Sequence, residues 1–312
     1  MRRFLRDVGL LALPIVVLAI VLEWVAEAIP NSYTYKRAYV EQHGGEVKTL
    51  ILGSSNAYDG INPTVLPGAF NLANSSQTLE DDYRLLERYI DDMDSLQTVI
   101  VGLGYHSLGA MTEDNRRTYY TIYMGLYPRW PISKYSFEVF NLELLTKKII
   151  KYAVSRDVTR CDSLGQRVGH TAEAVKERKE FWNKDAAALV ANDEWIVESR
   201  EPRVERNVEF LHAIIRLCEA HQVQPVIVTM PVMKEYKEAL PREQVALHDS
   251  VMQSMPSSVQ YIDASEWAMP DDGWYNATHL TKEESGEFTE RVETQGFVTD
   301  GIEKDVFAQI DE

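Results

Sequence analysis

Two apolar rhythms alternate along most of this chain. Short, nearly unbroken runs bounded by glycine or polar loops read as buried strands: Val47 to Leu52, Ala69 to Ala73, Thr98 to Leu103, Gln224 to Met230 and Val259 to Ile262. Val99-Ile100-Val101 is β-branched throughout, as strands favour. Between these runs, apolar residues recur at helical spacing. Thr78 with Asp81 marks a helix start, and Leu79, Tyr83, Leu86 and Ile90 then share one face. Val208, Leu211, Ile214, Ile215 and Leu217 do the same within Val204 to His221, and Arg242 to Met255 and Lys282 to Val292 also read as helices. Strand, helix and strand in this order imply parallel pairing through right-handed crossovers.

Residues 1–30 follow neither rhythm. Arg2, Arg3 and Arg6 precede an uncharged run from Val8 to Leu22, and Trp24, Val25, Ala26, Ala28 and Ile29 carry it past Glu23 and Glu27. As a helix, Val8 to Ile29 would be roughly 33 Å long, against a hydrocarbon core of about 30 Å. That suffices for one transmembrane helix with both glutamates and Trp24 at the far interface and the basic flank in the cytoplasm. The competing reading is a cleaved signal peptide with Ala26-Glu27-Ala28 as a small-x-small site. Either way the globular part is expected outside the cytoplasm.

Residues 105–203 break the alternation. Tyr119, Tyr120, Tyr123, Tyr127, Trp130, Tyr135 and Phe137 crowd together with Arg116, Arg117 and Arg129 among them. One reading is a packed cap or a membrane-proximal surface. The other is a lid whose rings stack on sugars. Asn141 to Val154 and Thr171 to Val190 read as helices within this insertion, which is expected to set substrate choice because loops on a rigid scaffold carry specificity.

Composition excludes more than it identifies. With 45% apolar and 26% charged residues the chain is an ordinary folded protein, and its net charge of −16 argues against nucleic acid as a partner. Cys161 and Cys218 lack metal-ligand spacing and read as buried free thiols in preference to a disulfide. The histidines are scattered, so no metal is expected, and no phosphate loop or dinucleotide fingerprint calls for a nucleotide cofactor.

Candidate chemistry starts where the first strand ends, at Gly53-Ser54-Ser55-Asn56. A serine just past the carboxyl end of a strand sits where ligands bind in α/β sheets, which makes Ser55 the candidate nucleophile. Asn56 to Pro63 reads as a loop rich in turn formers. Gly53-Ser54-Ser55-Asn56 resembles the first block of the SGNH, or GDSL-type, esterase superfamily, whose third-position serine is the nucleophile. With the following Gly60-Ile61-Asn62-Pro63 it looks more closely like a membrane-anchored bacterial branch associated with acylation of envelope polysaccharide. Asn71 to Thr78 is similar to the second block, with Ser76 in the place of the glycine whose N–H meets the oxyanion. Gly104-Tyr105-His106 falls on the third, with His106 replacing asparagine, so Asn56 becomes an alternative side-chain donor. Asn276-Ala277-Thr278-His279-Leu280 resembles the last block, making His279 the base and putting Asn276 where the family has its aspartate. In a serine protease triad, aspartate to asparagine costs about 10⁴ in turnover through the wrong tautomer. Asp271, Asp272 or Asp263 is therefore an alternative acid.

These readings converge on an α/β chain. It is expected as a flavodoxin-like three-layer sandwich with a parallel sheet of about five strands. Residues 1–30 are the anchor or signal, 31–298 the SGNH-like domain with an inserted cap over 105–203, and 299–312 an acidic tail. The resemblance implies an extracytoplasmic serine esterase or O-acyltransferase. Its substrates would be acyl esters, acetyl foremost, of envelope polysaccharide, with a membrane acyl-donor protein as a further partner. The alternative is an inactive member of the same fold that binds glycan or assists polysaccharide assembly.

Overall fold

The computed structural model describes residues 1–156, 159–176 and 202–295. They divide into two compact units: 40–112 with the described residues from 161 onward, and 1–39 with 113–160. The division runs inside the expected insertion, because residues 161–176 belong with the sheet. The helix expected over Thr171 to Val190 is seen only as Ala172–Lys176, and the rest of it lies outside the described residues, as does the acidic tail.

The larger unit is built on five parallel strands: β1 (Thr49–Gly53), β2 (Ala69–Asn71), β3 (Thr98–Leu103), β4 (Gln224–Thr229) and β5 (Gln260–Asp263), in the order β2-β1-β3-β4-β5. This is the flavodoxin-like order. β1 and β3 are buried along their whole length, which explains their continuous apolar character. Side chains alternate between the two faces. Ile51, Ile100, Val226, Val228 and Ile262 join Ala57, Phe288 and Val292 in one core cluster. On the opposite face, the helices Leu79–Tyr89 and Pro202–Ala220 pack against β1 and β4. Thr78 and Asp81 form the reciprocal capping box expected from their spacing, and Thr281 caps Lys282–Thr294 through the Glu284 N–H. A two-stranded antiparallel hairpin, β6 (Trp274–Asn276) with β7 (His279–Leu280), stands apart from the main sheet.

The order in which strands are added switches sides between β1 and β3, β2 lying beyond β1 and β4 and β5 beyond β3. The crevice at the carboxyl ends of two such strands is where open α/β sheets bind ligands. Gly53 and Gly102 pair across it. Gly53 has φ +127°, and a side chain there would stand 2.5 Å from the Gly102 carbonyl. The chain can therefore turn sharply out of β1 only at a glycine.

The smaller unit contains the long helix Arg2–Ala28, apolar over most of its length. The break at Pro30-Asn31 restarts the chain as a helix, since the Asn31 carboxamide oxygen accepts from the backbone N–H of Tyr33 and Thr34, both at 3.0 Å. Tyr120 and Tyr123 are buried in this unit, and the Tyr33 ring lies edge-on to Tyr120 at 5.1 Å. Arg117 stacks on Tyr127 at 3.7 Å. Tyr120 and Tyr123 thus serve as packing, whereas Trp130 of the same aromatic group is exposed. Cys161 and Cys218 are free thiols, Cys218 buried but Cys161 only partly so.

Candidate active site

The loop expected after Ser55 is instead a short helix, Ser55–Gly60, which begins at the serine itself. Ser54 precedes it in extended conformation and is buried, its hydroxyl donating to Asn56 Oδ1 at 3.1 Å. Ser55 is the more accessible of the two. As the first residue of a helix, its backbone N–H has no partner within that helix.

The β6–β7 hairpin explains the spacing of the last block. A two-residue turn, Ala277-Thr278, brings Asn276 and His279 opposite each other as a cross-strand pair. His279 Nε2 lies 2.7 Å from Ser55 Oγ, and His279 Nδ1 lies 2.8 Å from Asn276 Oδ1. The Thr278 backbone N–H also donates to Asn276 Oδ1, at 2.9 Å. A backbone N–H can only meet an acceptor, so this bond fixes the carboxamide with its oxygen toward the ring. The oxygen then accepts from Nδ1–H, which leaves Nε2 unprotonated and facing the serine hydroxyl. Asparagine therefore imposes the same tautomer here that an aspartate would, and only the negative charge is missing. The hairpin is tied to the serine loop by Asn56, whose Nδ2 donates to the Thr278 carbonyl at 2.6 Å.

Ser55, Asn56, Ser76, His106, Asn276 and His279 all line one cleft of about 260 Å³. Ser76 holds φ +54°, the left-handed backbone that glycine adopts most readily. The main-chain conformation of the glycine it replaces is therefore retained. His106 folds back over Gly104, where any side chain would meet its ring at 2.7 Å. Behind the cleft, fully buried Asp82 accepts from the Gly53 N–H at 2.9 Å and from Gln77 Nε2 at 2.6 Å, joining the loops that carry Ser55 and Ser76. Burial pushes its carboxyl up to about 7.

The alternative acids lie elsewhere. Asp271 and Asp272 are exposed, and Asp271 lines a second, larger cavity of about 860 Å³ with Trp267 and Trp274. Asp263 is exposed and accepts from the Ser265 N–H. The position behind the imidazole belongs to Asn276.

A carboxylate does reach the imidazole, from a place the sequence reading passed over. Asp59 is buried, with Oδ2 3.7 Å from His279 Nε2. Its other oxygen lies 2.9 Å from Arg167 Nε and 3.3 Å from His170 Nδ1. The Arg167 guanidinium also reaches the Ser75 hydroxyl. His170 stacks on Tyr275 at 3.6 Å and stands edge-on to His279. Arg167 and His170 arrive on the loop 161–170, where Asn71 N–H donates to Leu164 O at 2.9 Å. Gly165, at φ +86°, permits that approach, since a side chain there would meet Asn71 O at 2.2 Å. One signal was legible: Asp59 is four residues after Ser55, one turn along the same helix. A second was the pair Arg167 and His170 in a loop punctuated by Gly165 and Gly169.

Burial lowers the His279 imidazole to about 4, Asp59 opposing the shift and Arg167, His170 and His106 adding to it. The ring is thus neutral at physiological pH. A hydroxyl held against a neutral imidazole of the correct tautomer can lose its proton to that ring as it attacks a carbonyl.

No protein-family model and no curated protein matches the chain. Among solved structures, a GDSL-like lipase from Bacteroides thetaiotaomicron is similar at 9% identity and a TM-score of 0.40, over 84% of this chain and 97% of that one. A protein described as an acylhydrolase from Bacteroides fragilis is similar at 11% identity and a TM-score of 0.39, over 82% of this chain and 92% of that one. Likenesses this remote decide neither family nor activity, which leaves that task to the geometry of the cleft.

Proposed function

We propose that this chain is a membrane-anchored serine esterase or O-acyltransferase of the SGNH type. Its substrates are acyl esters, acetyl foremost, of envelope polysaccharide outside the cytoplasm. The observation that carries the reading is the line Ser55 Oγ, His279, Asn276 Oδ1, with contacts of 2.7 and 2.8 Å and the imidazole tautomer fixed by the Thr278 N–H. Ser55 attacks the ester carbonyl while His279 Nε2 takes its proton. The oxyanion is met by the backbone N–H groups of Ser55 and Ser76, with His106 or the second amide hydrogen of Asn56 as side-chain donor. Each such donor is typically worth 10²–10³ in rate. His279 returns the proton to the leaving alkoxide, leaving Ser55 acylated. Water or a sugar hydroxyl, deprotonated by the same ring, then takes the acyl group. Asp59 stabilises the imidazolium through space, supplying from the serine side part of the charge that Asn276 lacks. The apolar Arg2–Ala28 helix behind its basic flank supports the anchored, extracytoplasmic placement, and the resemblance of Gly53 to Pro63 to the branch associated with envelope acylation supports polysaccharide.

A second reading, a non-catalytic glycan-binding protein, draws on Asn276, Ser76 and His106 standing where the family carries other residues. Hydrolysis of p-nitrophenyl acetate by the full chain separates the two. Ser55→Ala and His279→Ala are each expected to lower turnover by about 10³-fold or more. Equal hydrolysis by wild type and Ser55→Ala would leave only the binding reading. Adding an oligosaccharide acceptor and following its mass distinguishes transfer from hydrolysis.

A further inference from the structure

The outer end of the apolar helix is built into the protein that follows it. The Glu23 carboxylate accepts from the backbone N–H of Glu138 at 3.1 Å and of Val139 at 3.0 Å. Glu27 pairs with Arg129 at 2.8 Å, and Lys148 Nζ donates to the Ala26 carbonyl at 2.7 Å. Ala26 and Ile29 are buried in the same unit. Residues 23–29 are therefore structural parts of the unit formed with 113–160, and cleavage at Ala26-Glu27-Ala28 would remove its Glu23 and Ala26 contacts. This favours a retained anchor over a cleaved signal.

Helix geometry then sets a depth. The last charged residues before the apolar run are Arg6 and Asp7, paired with each other at 2.9 Å. Crossing a hydrocarbon core of about 30 Å at about 1.5 Å per residue takes roughly 20 residues. Counted from Val8, the crossing ends near Glu27. Glu23 and Glu27 then sit at the outer hydrocarbon boundary, with their charges met by Arg129 and two backbone N–H groups. Arg129 and Glu138-Val139, bonded to them, share that level.

The side chains beside those anchor points are large, apolar and exposed. Trp130 is 75% exposed, Phe140 54% and Leu142 64%, and Ile132 joins them. The helix Leu142–Ser155 adds Ile150 and the 82% exposed Val154, next to the exposed ion pair Glu143–Lys147. Apolar and aromatic residues mixed with a neutralised charge pair suit the headgroup–acyl boundary and not the hydrocarbon centre.

Resting on the anchor reading above, we propose that Trp130, Ile132, Phe140, Leu142, Ile150 and Val154 form a second membrane-binding surface. It lies in the outer boundary of the bilayer that the N-terminal helix crosses. The partner is the lipid itself. The surface fixes the 113–160 segment on the membrane, so that this unit is held by a helix and a face together.

The test uses the full chain with Cys161→Ser and Cys218→Ala, carrying one new cysteine at Val16, Trp130 or Val154. Each is labelled with an environment-sensitive fluorophore and reconstituted into phosphatidylcholine–phosphatidylglycerol vesicles containing shallow or deep nitroxide lipids. The label at Val16 is expected to be quenched most by the deep nitroxide. Those at Trp130 and Val154 should be quenched more by the shallow nitroxide than by the deep one, and not by aqueous iodide. Iodide quenching at 130 and 154, with deep quenching kept at 16, overturns the surface and leaves the anchor standing. No lipid quenching at 16 overturns the anchor, and the surface with it. Shielding of 130 and 154 from both lipid nitroxide and iodide assigns the face to a protein partner and overturns the lipid assignment. Should the cysteine replacements prevent folding, brominated lipids and the difference between wild type and Trp130→Phe emission give the same comparison in a chain with its native cysteines.

Discussion

Asn276→Asp tests whether the amide behind His279 does the work of a carboxylate without its charge. The replacement keeps an oxygen in reach of Nδ1, now 2.8 Å away, and of the Thr278 N–H. The tautomer stays the same, and a full negative charge is added beside a ring that becomes cationic only as the serine is deprotonated. A charge-assisted hydrogen bond contributes about 1.5–3 kcal/mol, against about 0.5–1.5 for a neutral one. The gain belongs mainly to the transition state and amounts to about 1–2 kcal/mol, or roughly 5- to 30-fold in turnover. Measured on p-nitrophenyl acetate, kcat is expected to rise by that factor with KM little changed. The lower kinetic pKa should move up from the value near 4 that burial gives the imidazole. If kcat and that pKa both stay where they are in the wild type, Asn276 is not the residue that orients the base. If the variant loses activity while still folding, the geometric argument for the tautomer is wrong.

Asp59→Asn removes the carboxylate 3.7 Å from Nε2. A charge at that range interacts by about 4 kcal/mol at an effective dielectric near 20, and Arg167 cancels much of it, so kcat should fall about 10-fold with KM held; an unchanged kcat excludes electrostatic support from Asp59. In the wild type, kcat/KM should be flat from pH 5.5 to 8, because His279 is already neutral there; a rise centred near 6.5 would show an ordinary histidine at work. Asp82→Asn should stabilise the fold at pH 8 by up to about 4 kcal/mol, with the gain shrinking as pH falls toward 4, read as the difference in Tm across pH. The sign follows from the raised carboxyl, near 7 in the fold against 3.8 unfolded: stability is fully present below 3.8 and lost as pH rises through 7. His279 and His248, both lowered to about 4, act the other way, their contribution present above 6.5 and lost as pH falls through 4.

The sheet was readable because its strands are buried on both faces and so appear as continuous apolar runs between glycines. β3 falls at the residues expected, and the Thr78–Asp81 box starts its helix where the spacing put it. The meeting of Ser55 with His279 was legible only through the resemblance, since nothing local in either loop encodes a partner more than 200 residues away. What Asn276 does was not legible. Its role depends on which way a carboxamide faces, and that is set by a single backbone N–H in a two-residue hairpin turn. Asp59 was missed because Asn56 to Pro63 has the composition of a loop, whereas packing of Ala57 into the core favours a helix there. Arg167 and His170 were absorbed into an insertion whose boundaries composition alone could not divide. Asp271 and Asp272 drew notice by their closeness in sequence to His279, but the Asp271–Gly273 turn leaves both exposed.

The most direct measurement is covalent labelling of the full chain by a fluorophosphonate, with the modified peptide identified by mass. A single adduct on Ser55 is expected, absent from Ser55→Ala, strongly slowed in His279→Ala, and not displaced to Ser54. A folded wild-type protein that takes no label, or takes it on a residue other than Ser55, would contradict an activated serine in this cleft.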